Sequence, residues 1–317
     1  MATIKDVARK ANVSVTTVSR VLNNNGYVHQ DTKKIIEDAM NELKYAPNLF
    51  AEVLSKGTSN IIGIIIENIT NPNLNRLIDS IEKECTKNGF KLILGITRNS
   101  IGMEEYYLSM FKKYNVDGII IGSKISHYQD FIDLNKPIIS IDHNINDNIS
   151  SINIDYNLGS ILAAKEFLKC ECKNVLILKY TDVFNKPLEK LISELNEYGI
   201  NTTTKSLDGE FNKNELLEYL DTHVFDGIYT TCDIIAISTI SILHKLRIKV
   251  PEKCCVIGCS SSSFASIITP TLTSIDFPTE KLAIKSFNTL LDYIINKNEN
   301  VIHEVIDVSL IKRESTK

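Results

Sequence analysis

The sequence predicts a small all-α head with a helix-turn-helix, followed by an α/β body of two lobes. Three observations support this prediction. The first sixty residues contain short helical patterns. From residue 59 onward, apolar β-branched runs alternate with helical patterns, which favours parallel sheets with helices on both faces. That alternation restarts near residue 160, so the body is expected to contain two units of similar size.

Length and composition are typical of a folded protein with more than one compact unit. The chain has 317 residues, with 43% hydrophobic and 23% charged residues, which excludes a disordered or fibrous class. The apolar run 61–66 is far shorter than the ~20 residues of a membrane helix, so no membrane association is expected. The charged N-terminus lacks the apolar stretch of a secretory signal. We therefore expect a cytoplasmic protein.

The cysteines do not form a metal-binding pattern. Zinc sites need four ligands at finger-like spacing, and the pair Cys170-x-Cys172 has no second pair or histidine beside it. We expect no metal and no cofactor. The cysteines are instead expected to be reduced thiols, several of them buried, as in other cytoplasmic proteins.

Charge is distributed unevenly along the chain. Residues 1–58 contain eight Lys and Arg against six Asp and Glu, whereas the whole chain has a net charge of −4. The N-terminal segment is therefore mildly basic and the remainder is acidic. This difference indicates an anionic partner for the N-terminal segment.

Three short helices are predicted in the head. Thr3 is expected to cap the first helix, and Asn12-Val13-Ser14 predicts a tight turn, because Asn tolerates a left-handed backbone and Ser14 can cap the second helix, 15–22. A third helix begins near Asp31 and has a helical apolar stripe. The predicted buried residues of that stripe are Ile35, Ile36, Ala39, Met40 and Leu43. Together these helices form a helix-turn-helix unit.

The second helix has one apolar and one polar side. Its apolar residues are Val18, Val21 and Leu22, and its polar residues are Thr16, Ser19, Arg20 and Asn23. A helix fits the major groove of B-DNA, where Arg pairs bidentately with guanine. Val15 can offer a methyl surface to thymine, while Thr32 and Lys33 can hold phosphates. Spacing alone leaves a three-helix bundle with a solvated polar face as the alternative.

Several motifs resemble the LacI/GalR family of bacterial repressors. They are TIKDVA at 3–8, VSVTTVSRVLN at 13–23, YAPN at 45–48 with Ala51 through Leu54, Asn71-Pro72, VDGI at 116–119, Pro251-Glu252 and REST at 313–316. The resemblance spans almost the whole chain and is strongest to the ribose and sucrose operon repressors of Gram-positive bacteria. It implies a homodimer on a pseudo-palindromic operator of double-stranded DNA, and a core similar to the periplasmic sugar-binding fold.

The resemblance also implies which residues contact DNA. Val15, Thr16 and Arg20 occupy its base-reading positions, and Leu54 matches the hinge leucine that enters the minor groove. The full predicted set is Thr3, Ser14, Val15, Thr16, Thr17, Ser19, Arg20, Asn23, Tyr27, Thr32, Asn48, Ala51 and Leu54.

The hinge has physical support of its own. A helix over 48–56 is shorter than the ~12–15 residues that hold helicity alone in water, so it is expected to fold when docked on DNA. Glu52 stands where the family usually has Arg, and a carboxylate near phosphates weakens binding. A plain linker is the alternative.

The predicted domains are a helix-turn-helix domain at 1–46, a hinge at 47–58, and an effector-binding and dimerisation core at 59–317. Lobe 1 covers about 59–157 plus 278–299, and lobe 2 about 158–277 plus 300–317. The chain is expected to cross between lobes near Asn157, Phe277 and Asn300. The predicted strands are 61–66, 91–96, 118–122, 138–141, 175–179, 203–207, 227–230 and 255–258. The predicted helices of the core, besides one after the first strand, are 104–114, 160–170, 188–198, 214–222 and 234–246.

The effector site is predicted in a cleft between the carboxyl ends of the strands of the two lobes. An Asp or Asn side chain on such a loop can form two hydrogen bonds to vicinal hydroxyls, so a sugar or sugar phosphate is the expected ligand. The candidate residues are Asn68, Asn73, Thr97, Asp142, His143, Asp155, Lys186, Asp233 and Ser260.

Among the departures from the family in this cleft, two remove charged groups. Lys186 and Pro187 replace the usual Arg and Gly, and Ser260-Ser261 replaces an Asp pair. The loss of a guanidinium and a carboxylate leaves open a different sugar, a phosphorylated sugar, a corepressor protein, or a regulator without small-molecule sensing.

Enzyme motifs are not found. The sequence has no G-x-G-x-x-G, Walker loop, H-E-x-x-H or G-x-S-x-G. We therefore predict a sequence-specific DNA-binding transcriptional regulator, a repressor of a carbohydrate-utilisation operon with ligand-controlled operator affinity. The alternative is a cytoplasmic sugar-binding or sugar-metabolising protein without specific DNA binding.

Overall fold

The head is a three-helix unit with its own small core. The computed structural model describes residues 2–22, 26–45, 57–69, 72–180, 185–207 and 212–317. Its first helices are α1 (Ile4–Lys10), α2 (Val15–Leu22) and α3 (Gln30–Glu42). The fully or nearly buried residues of the head core are Val7, Ala8, Ala11, Val18, Ile36 and Ala39.

One residue of the predicted apolar stripe of α3 is exposed instead of buried. Ile36 is fully buried, whereas Ile35 is 51% exposed, so its assignment to the core was wrong. Ile36, Ala39 and Leu43 follow the helical repeat of three and four residues, and Ile35 lies about 100° round the helix from Ile36.

The body contains two sheets in which strands alternate with helices. Lobe 1 begins with β1 (Ile61–Ile66), α4 (Pro72–Lys87), β2 (Lys91–Ile96), α5 (Ile101–Tyr114), β3 (Gly118–Ile121), α6 (Tyr128–Ile132), β4 (Ile138–Ile141) and β5 (Ser150–Ile154). Lobe 2 follows with α7 (Tyr156–Lys169), β6 (Asn174–Tyr180), α8 (Asn185–Glu197), β7 (Asn201–Leu207), α9 (Lys213–Thr222), β8 (Gly227–Thr230), α10 (Asp233–Lys245), β9 (Cys255–Cys259), a 3₁₀ turn (Ser263–Ser266) and β10 (Thr273–Asp276). The last elements are α11 (Thr279–Ile295), β11 (His303–Ile306) and β12 (Ser309–Ile311).

The sheet topology confirms the predicted α/β architecture. The first sheet has the order β11-β5-β4-β3-β1-β2 and the second β12-β10-β9-β8-β6-β7. Pairs within the first sheet are parallel, and in the second only β12 runs antiparallel, against β10. Within the described ranges, no helix has the length and apolar character needed to cross a bilayer.

The chain passes between the sheets at three places. It leaves the first sheet after β5 and returns through α11, which packs against α4, β3, β4 and β5. The third crossing lies between β11 and β12, because His303 pairs with Ser151 and Ile306 with Ile154 in the first sheet. The crossing predicted near Asn300 was therefore placed too early. A link of only two residues joins β11 to β12, and β12 enters the second sheet antiparallel to β10.

Asp117 fixes the backbone that leads into β1 of the first sheet. The Asp117 carboxylate, 7% exposed, accepts hydrogen bonds from the backbone N–H of Ser59 at 3.1 Å and of Asn60 at 2.7 Å. Gly118 follows it, and a Cβ there would lie 2.9 Å from Leu290 of α11. The glycine therefore lets α11 pack against the start of β3. The VDGI motif thus has a structural role.

The same clamp recurs in lobe 2, where the sequence reads FDGI at 225–228. The Asp226 carboxylate accepts from the backbone N–H of Lys173 and of Asn174, both at 2.8 Å. A Cβ at Gly227 would lie 2.9 Å from Phe167 of α7. Each lobe therefore uses one carboxylate and one glycine to join its first strand to its third.

The seven cysteines, each within a described range, are free thiols, and all but Cys232 are buried. Burial raises the pKa of the Cys85 thiol to about 12, so that thiol is protonated at neutral pH. A buried, protonated thiol is a poor nucleophile. Cys85 therefore behaves as an apolar core residue.

Candidate functional site

The turn between α1 and α2 has the predicted geometry. Asn12 adopts a φ of 52°, and the Ser14 Oγ accepts a hydrogen bond of 3.0 Å from the backbone N–H of Thr17. The Ser14 and Thr17 hydroxyls also share a hydrogen bond of 2.8 Å. The left-handed turn and the Ser14 cap are confirmed. These bonds fix the start of α2 relative to α1.

Helix α1 is held from both ends. The Thr3 Oγ1 accepts from the Asp6 backbone N–H, and the Asp6 side chain accepts from the Thr3 backbone N–H at 2.9 Å. Hydrogen bonds from Thr3 lower the pKa of Asp6. At the other end, Lys10 forms an ion pair with Glu42 of α3. The predicted Thr3 cap is confirmed, and α1 is a rigid support for α2.

The outer side of α2 presents a recognition face, which we define as Val15, Thr16 and Arg20. Val15 is 40% exposed, and Thr16 and Arg20 are exposed on adjacent turns. Val18, on the opposite side, is fully buried. The Arg20 Cδ lies 3.8 Å from the position of a Cβ at Gly26. The face therefore combines a methyl surface, a hydroxyl and a guanidinium on a supported helix.

The other predicted DNA contacts have differing exposure. Tyr27 is 88% exposed, while Thr17, Ser19 and Thr32 are partly buried. The hydroxyls of Thr3 and Ser14 serve as helix caps. Asn23, Asn48, Ala51 and Leu54 lie outside the described residues, as do the hinge prediction and its Glu52.

Most predicted effector residues follow the carboxyl ends of strands, as expected. Asn68 follows β1, Thr97 follows β2, and Asp142 and His143 follow β4. In lobe 2, Asp233 follows β8 and Ser260 follows β9. Asn73 lies at the start of α4, and the side chain of Lys186 lies outside the described residues.

Asp142 connects the two lobes. Its carboxylate accepts hydrogen bonds from the Tyr156 hydroxyl, at the start of α7, and from the Ile154 backbone N–H at 3.3 Å. Burial raises the pKa of Asp142, and these two bonds oppose that shift. Because Asp142 belongs to the first sheet and α7 packs on the second, this contact crosses the cleft at the first crossing. Tyr156 was not predicted as a site residue.

Aromatic and apolar side chains line the cleft beside Tyr156. The Tyr156 ring packs edge-to-face on Phe277, with centroids 5.3 Å apart. The cavity next to this pair has a volume of about 10 Å³, roughly the space that one water needs. Its walls are formed by Tyr156, Gly159, Leu188, Tyr229, Thr231, Cys259, Ile275 and Phe277. In this arrangement the lobe 2 side of the cleft is nearly closed.

On the lobe 1 side, buried polar atoms after β3 and β4 have no hydrogen-bond partner within the described part of the chain. They are the His143 Nε2 and the Ser123 Oγ. The other ring nitrogen of His143, Nδ1, lies 2.8 Å from the Ile141 carbonyl oxygen. Ser123 follows β3 and was not predicted, although its position after a strand was a signal that could have found it.

Three predicted effector residues use their side chains in hydrogen bonds to other residues of the chain. Thr97 is fully buried and its hydroxyl donates to the Ile66 carbonyl oxygen at 3.3 Å. Asp155 caps α7, accepting from the Leu158 N–H at 2.8 Å. Asp233 is 1% exposed and is considered next. These bonds give Thr97 and Asp155 structural roles.

The loop after β9 is held in an unusual backbone conformation. Ser260 has a φ of 109° and Ser261 a φ of 44°. Asp233 holds the loop by accepting from the Ser262 N–H at 2.5 Å and from the Ser274 hydroxyl at 2.7 Å. Burial raises the pKa of Asp233, against these bonds. Arg313, in the REST motif, donates to the Ser261 hydroxyl at 3.1 Å.

Comparison with known proteins agrees with this architecture. Residues 3–48 match the family described as "Bacterial regulatory proteins, lacI family", and residues 182–316 match "Periplasmic binding protein-like domain". The ribose operon repressor of Bacillus subtilis is 31% identical, over 100% of this chain and 99% of that protein. The sucrose operon repressor of Streptococcus mutans is 31% identical, over 99% of each chain.

A solved structure shares the same fold over nearly the full length. The lac repressor dimer bound to operator and the anti-inducer ONPF has a TM-score of 0.87 and 22% identity, covering 99% of each chain. The head, the two-lobed core and the full-length sequence similarity agree. The chain belongs to the LacI family of bacterial regulatory proteins.

Proposed function

We propose that this chain is a dimeric, cytoplasmic, sequence-specific repressor of a carbohydrate-utilisation operon, without enzymatic activity of its own. The observation that carries the proposal is the recognition face. Thr16 and Arg20 project from a helix whose opposite side is buried in the head core. The names of the ribose and sucrose operon repressors support the carbohydrate assignment.

Base reading follows from the chemistry of the recognition face. The Arg20 guanidinium can pair bidentately with guanine, and Thr16 can bond a base edge. Val15 supplies an apolar contact for a thymine methyl group. Two heads related by a twofold axis would read two half-sites, so the operator is expected to be pseudo-palindromic.

An apolar surface on lobe 2 supports dimerisation. Ile234 at the start of α10 is 46% exposed, Phe264 in the 3₁₀ turn 50%, and Ile267 just after it 73%. Helix α10 packs against the 3₁₀ turn, which brings these side chains to one region. Exposed apolar groups in one region are typical of a protein–protein interface. We assign this region to contact with a second copy of the chain.

Effector control fits the contacts between the lobes. A ligand in the cleft would compete with the Asp142–Tyr156 contact and change the lobe arrangement, and through it the spacing of the two heads. A coupling of only a few kcal/mol changes operator occupancy tenfold or more. Asn68, Asn73, Asp142, His143, Lys186 and Ser260 remain the proposed effector residues. A corepressor protein is the second candidate for the partner that controls this arrangement.

The test is the substitution Arg20→Ala, with Arg9→Ala as its matched control. Selection from genomic fragments gives the operator, and gel shifts then compare it with random duplex. Arg20→Ala should weaken operator binding by about 1–3 kcal/mol and relax the preference at one base position. Arg9 is an exposed arginine of α1 outside the recognition face. Its loss should weaken operator and random duplex by the same factor.

Two results would contradict the proposal. If Arg20→Ala binds operator and random duplex as the parent does, the recognition face is wrongly assigned. If the parent chain shows no preference among genomic fragments, the protein is instead a sugar-binding or sugar-metabolising protein without specific DNA binding.

A further inference from the structure

We propose that one end of lobe 2 docks an acidic, partly apolar segment of a partner protein. The site, which we call the distal surface, lies where the strands of the second sheet begin, on the side opposite the cleft. It consists of Lys173, Val224, Lys245, Arg247, Lys249 and Lys253. This inference goes beyond the proposed function, because it concerns neither the operator nor the effector.

The cations of the distal surface stand out in an acidic body. Residues 244–253, HKLRIKVPEK, contain four Lys and Arg against one acid, Glu252. All four cations and Lys173 are exposed. Within the described ranges, none of these five side chains forms an ion pair. Like charges without internal counter-ions attract an anionic partner.

The loop that carries four of these cations is held in place. Helix α10 ends at Lys245, and Arg247 closes it with a left-handed φ of 60°. Further along, the Lys249 carbonyl accepts a hydrogen bond of 2.9 Å from the Lys253 backbone N–H. Between them, Val250 packs against the core of lobe 2. A preformed loop loses little conformational entropy when a partner binds.

Hydrogen bonds bring the other segments of the distal surface beside this loop. Asp226, which precedes β8, accepts from the Lys173 backbone N–H at 2.8 Å through its carboxylate and from the Cys255 backbone N–H at 2.9 Å through its carbonyl. Val224 lies two residues before Asp226. Lys253 lies two residues before Cys255. The cations and the apolar side chain therefore belong to one region of lobe 2.

The apolar part of the distal surface is supported by aromatic rings. Val224 is 93% exposed. The rings of its neighbours His223 and Phe225 are nearly parallel, with an interplanar angle of 9°. Tyr219 stacks on His223 with centroids 4.3 Å apart. These rings hold the backbone around Val224, so its side chain is presented to solvent.

The combination of cations and an apolar group favours a protein segment over nucleic acid. The backbone of a duplex offers phosphates to the cations but no apolar group to Val224. A peptide that carries both carboxylates and apolar side chains complements both parts of the surface.

Fluorescence anisotropy of the full-length protein tests this docking. The probe is a fluorescein-labelled peptide in which Glu-Leu-Glu-Phe is repeated three times. One comparison peptide has Ser in place of Leu and Phe, and another has Lys in place of Glu. The probe should bind more tightly than either comparison peptide, and its affinity should fall as salt is added.

Variants assign the binding to the distal surface. Lys245→Glu combined with Lys249→Glu should weaken binding of the probe about tenfold at low salt. The matched control, Lys112→Glu combined with Lys113→Glu, reverses two exposed lysines in the last turn of α5 in lobe 1 and should bind as the parent does. Val224→Ser should weaken the probe about threefold without affecting the Ser peptide. The head is unchanged in every variant, so any binding there is the same throughout.

Four outcomes would overturn the proposal. Absence of probe binding at low salt would show that the surface docks no such segment. Equal weakening in the two double variants would show a response to net charge alone. Equal affinity for the probe and the Ser peptide would show that Val224 takes no part.

The fourth outcome concerns nucleic acid. If reversal of Lys245 and Lys249 weakened binding of random duplex DNA as strongly as binding of the probe, the surface would serve nucleic acid instead. Operator recognition by Arg20 is measured separately, so this inference can fail while the proposed function stands.

Discussion

The contact between Tyr156 and Asp142 is expected to control the relative position of the lobes. The substitution Tyr156→Phe removes the hydroxyl that reaches the Asp142 carboxylate and retains the ring that packs on Phe277. The core packing is therefore preserved, and only the polar link across the first crossing is lost.

The magnitude follows from the nature of the bond. A hydrogen bond to a charged group contributes about 1.5–3 kcal/mol. Tyr156 is only partly buried, so we take about 2 kcal/mol, which corresponds to roughly a thirtyfold change in an equilibrium constant. Because this bond joins the lobes, the change should appear in the equilibrium between the linked and separated arrangements.

Amide hydrogen exchange measures that equilibrium locally. The Ile154 amide should exchange up to roughly thirtyfold faster in Tyr156→Phe than in the parent. The Ile154 N–H bonds to Asp142, and the Asp155 N–H bonds to the Ile306 carbonyl at 2.9 Å. The Ile154 amide should lose protection when Asp142 is no longer held by Tyr156, whereas the Asp155 amide, which is bonded within the first sheet, should keep its protection.

Tyr293→Phe is the matched control. The Tyr293 hydroxyl bonds the Ser150 hydroxyl at 2.5 Å and the Asn300 carbonyl at 2.6 Å, contacts that stay beside the first sheet. This variant should lose global stability without faster exchange at the first crossing. If both variants exchange at the parent rate there, or both accelerate equally, the contact does not link the lobes.

Two further predictions concern carboxylates that accept backbone hydrogen bonds. Asp117→Asn should lower the free energy of unfolding, measured in urea, by about 2–3 kcal/mol. Asp226→Asn should lower it by less, because the Asp226 carboxylate bonds exposed backbone N–H groups. Equal losses of stability in the two variants would contradict this reasoning. For Asp233, burial raises the native pKa, so the native state holds the proton more tightly than the unfolded chain does. From about pH 4 up to that native pKa, the parent should therefore lose stability relative to Asp233→Asn. If the difference in Tm between the parent and Asp233→Asn is constant from pH 4 to 8, the native pKa of Asp233 is not raised.

The first predicted strand shows what a local pattern can reveal. Ile61–Ile66 is a continuous apolar run that is buried along its whole length, and such runs are typical of central parallel strands. Ser150–Ile154 is equally central but begins with two serines, which are buried because neighbouring groups satisfy their hydroxyls. Polar pairing of this kind depends on contacts far away in sequence, so no local pattern revealed β5.

The candidate site shows the same difference between residues that a local pattern reveals and residues that long-range contacts bring together. The turn and caps around α2 involve residues within a few positions of each other, so the pattern of Asn12 and Ser14 was sufficient. The cleft depends on long-range contacts, such as Tyr156 with Phe277. Asp233 looked like a free ligand in the sequence, yet its carboxylate is used to hold the loop after β9.

The position of β11 and β12 has a consequence for biosynthesis. Each forms the outermost strand of a different sheet, and both are translated after the other described strands. The head has its own core and can fold early on the ribosome. Both lobes, in contrast, keep an open, aggregation-prone edge until residues 303–311 emerge. Premature termination would therefore release a head able to engage nucleic acid but attached to two incomplete sheets, so regulation would be lost before recognition.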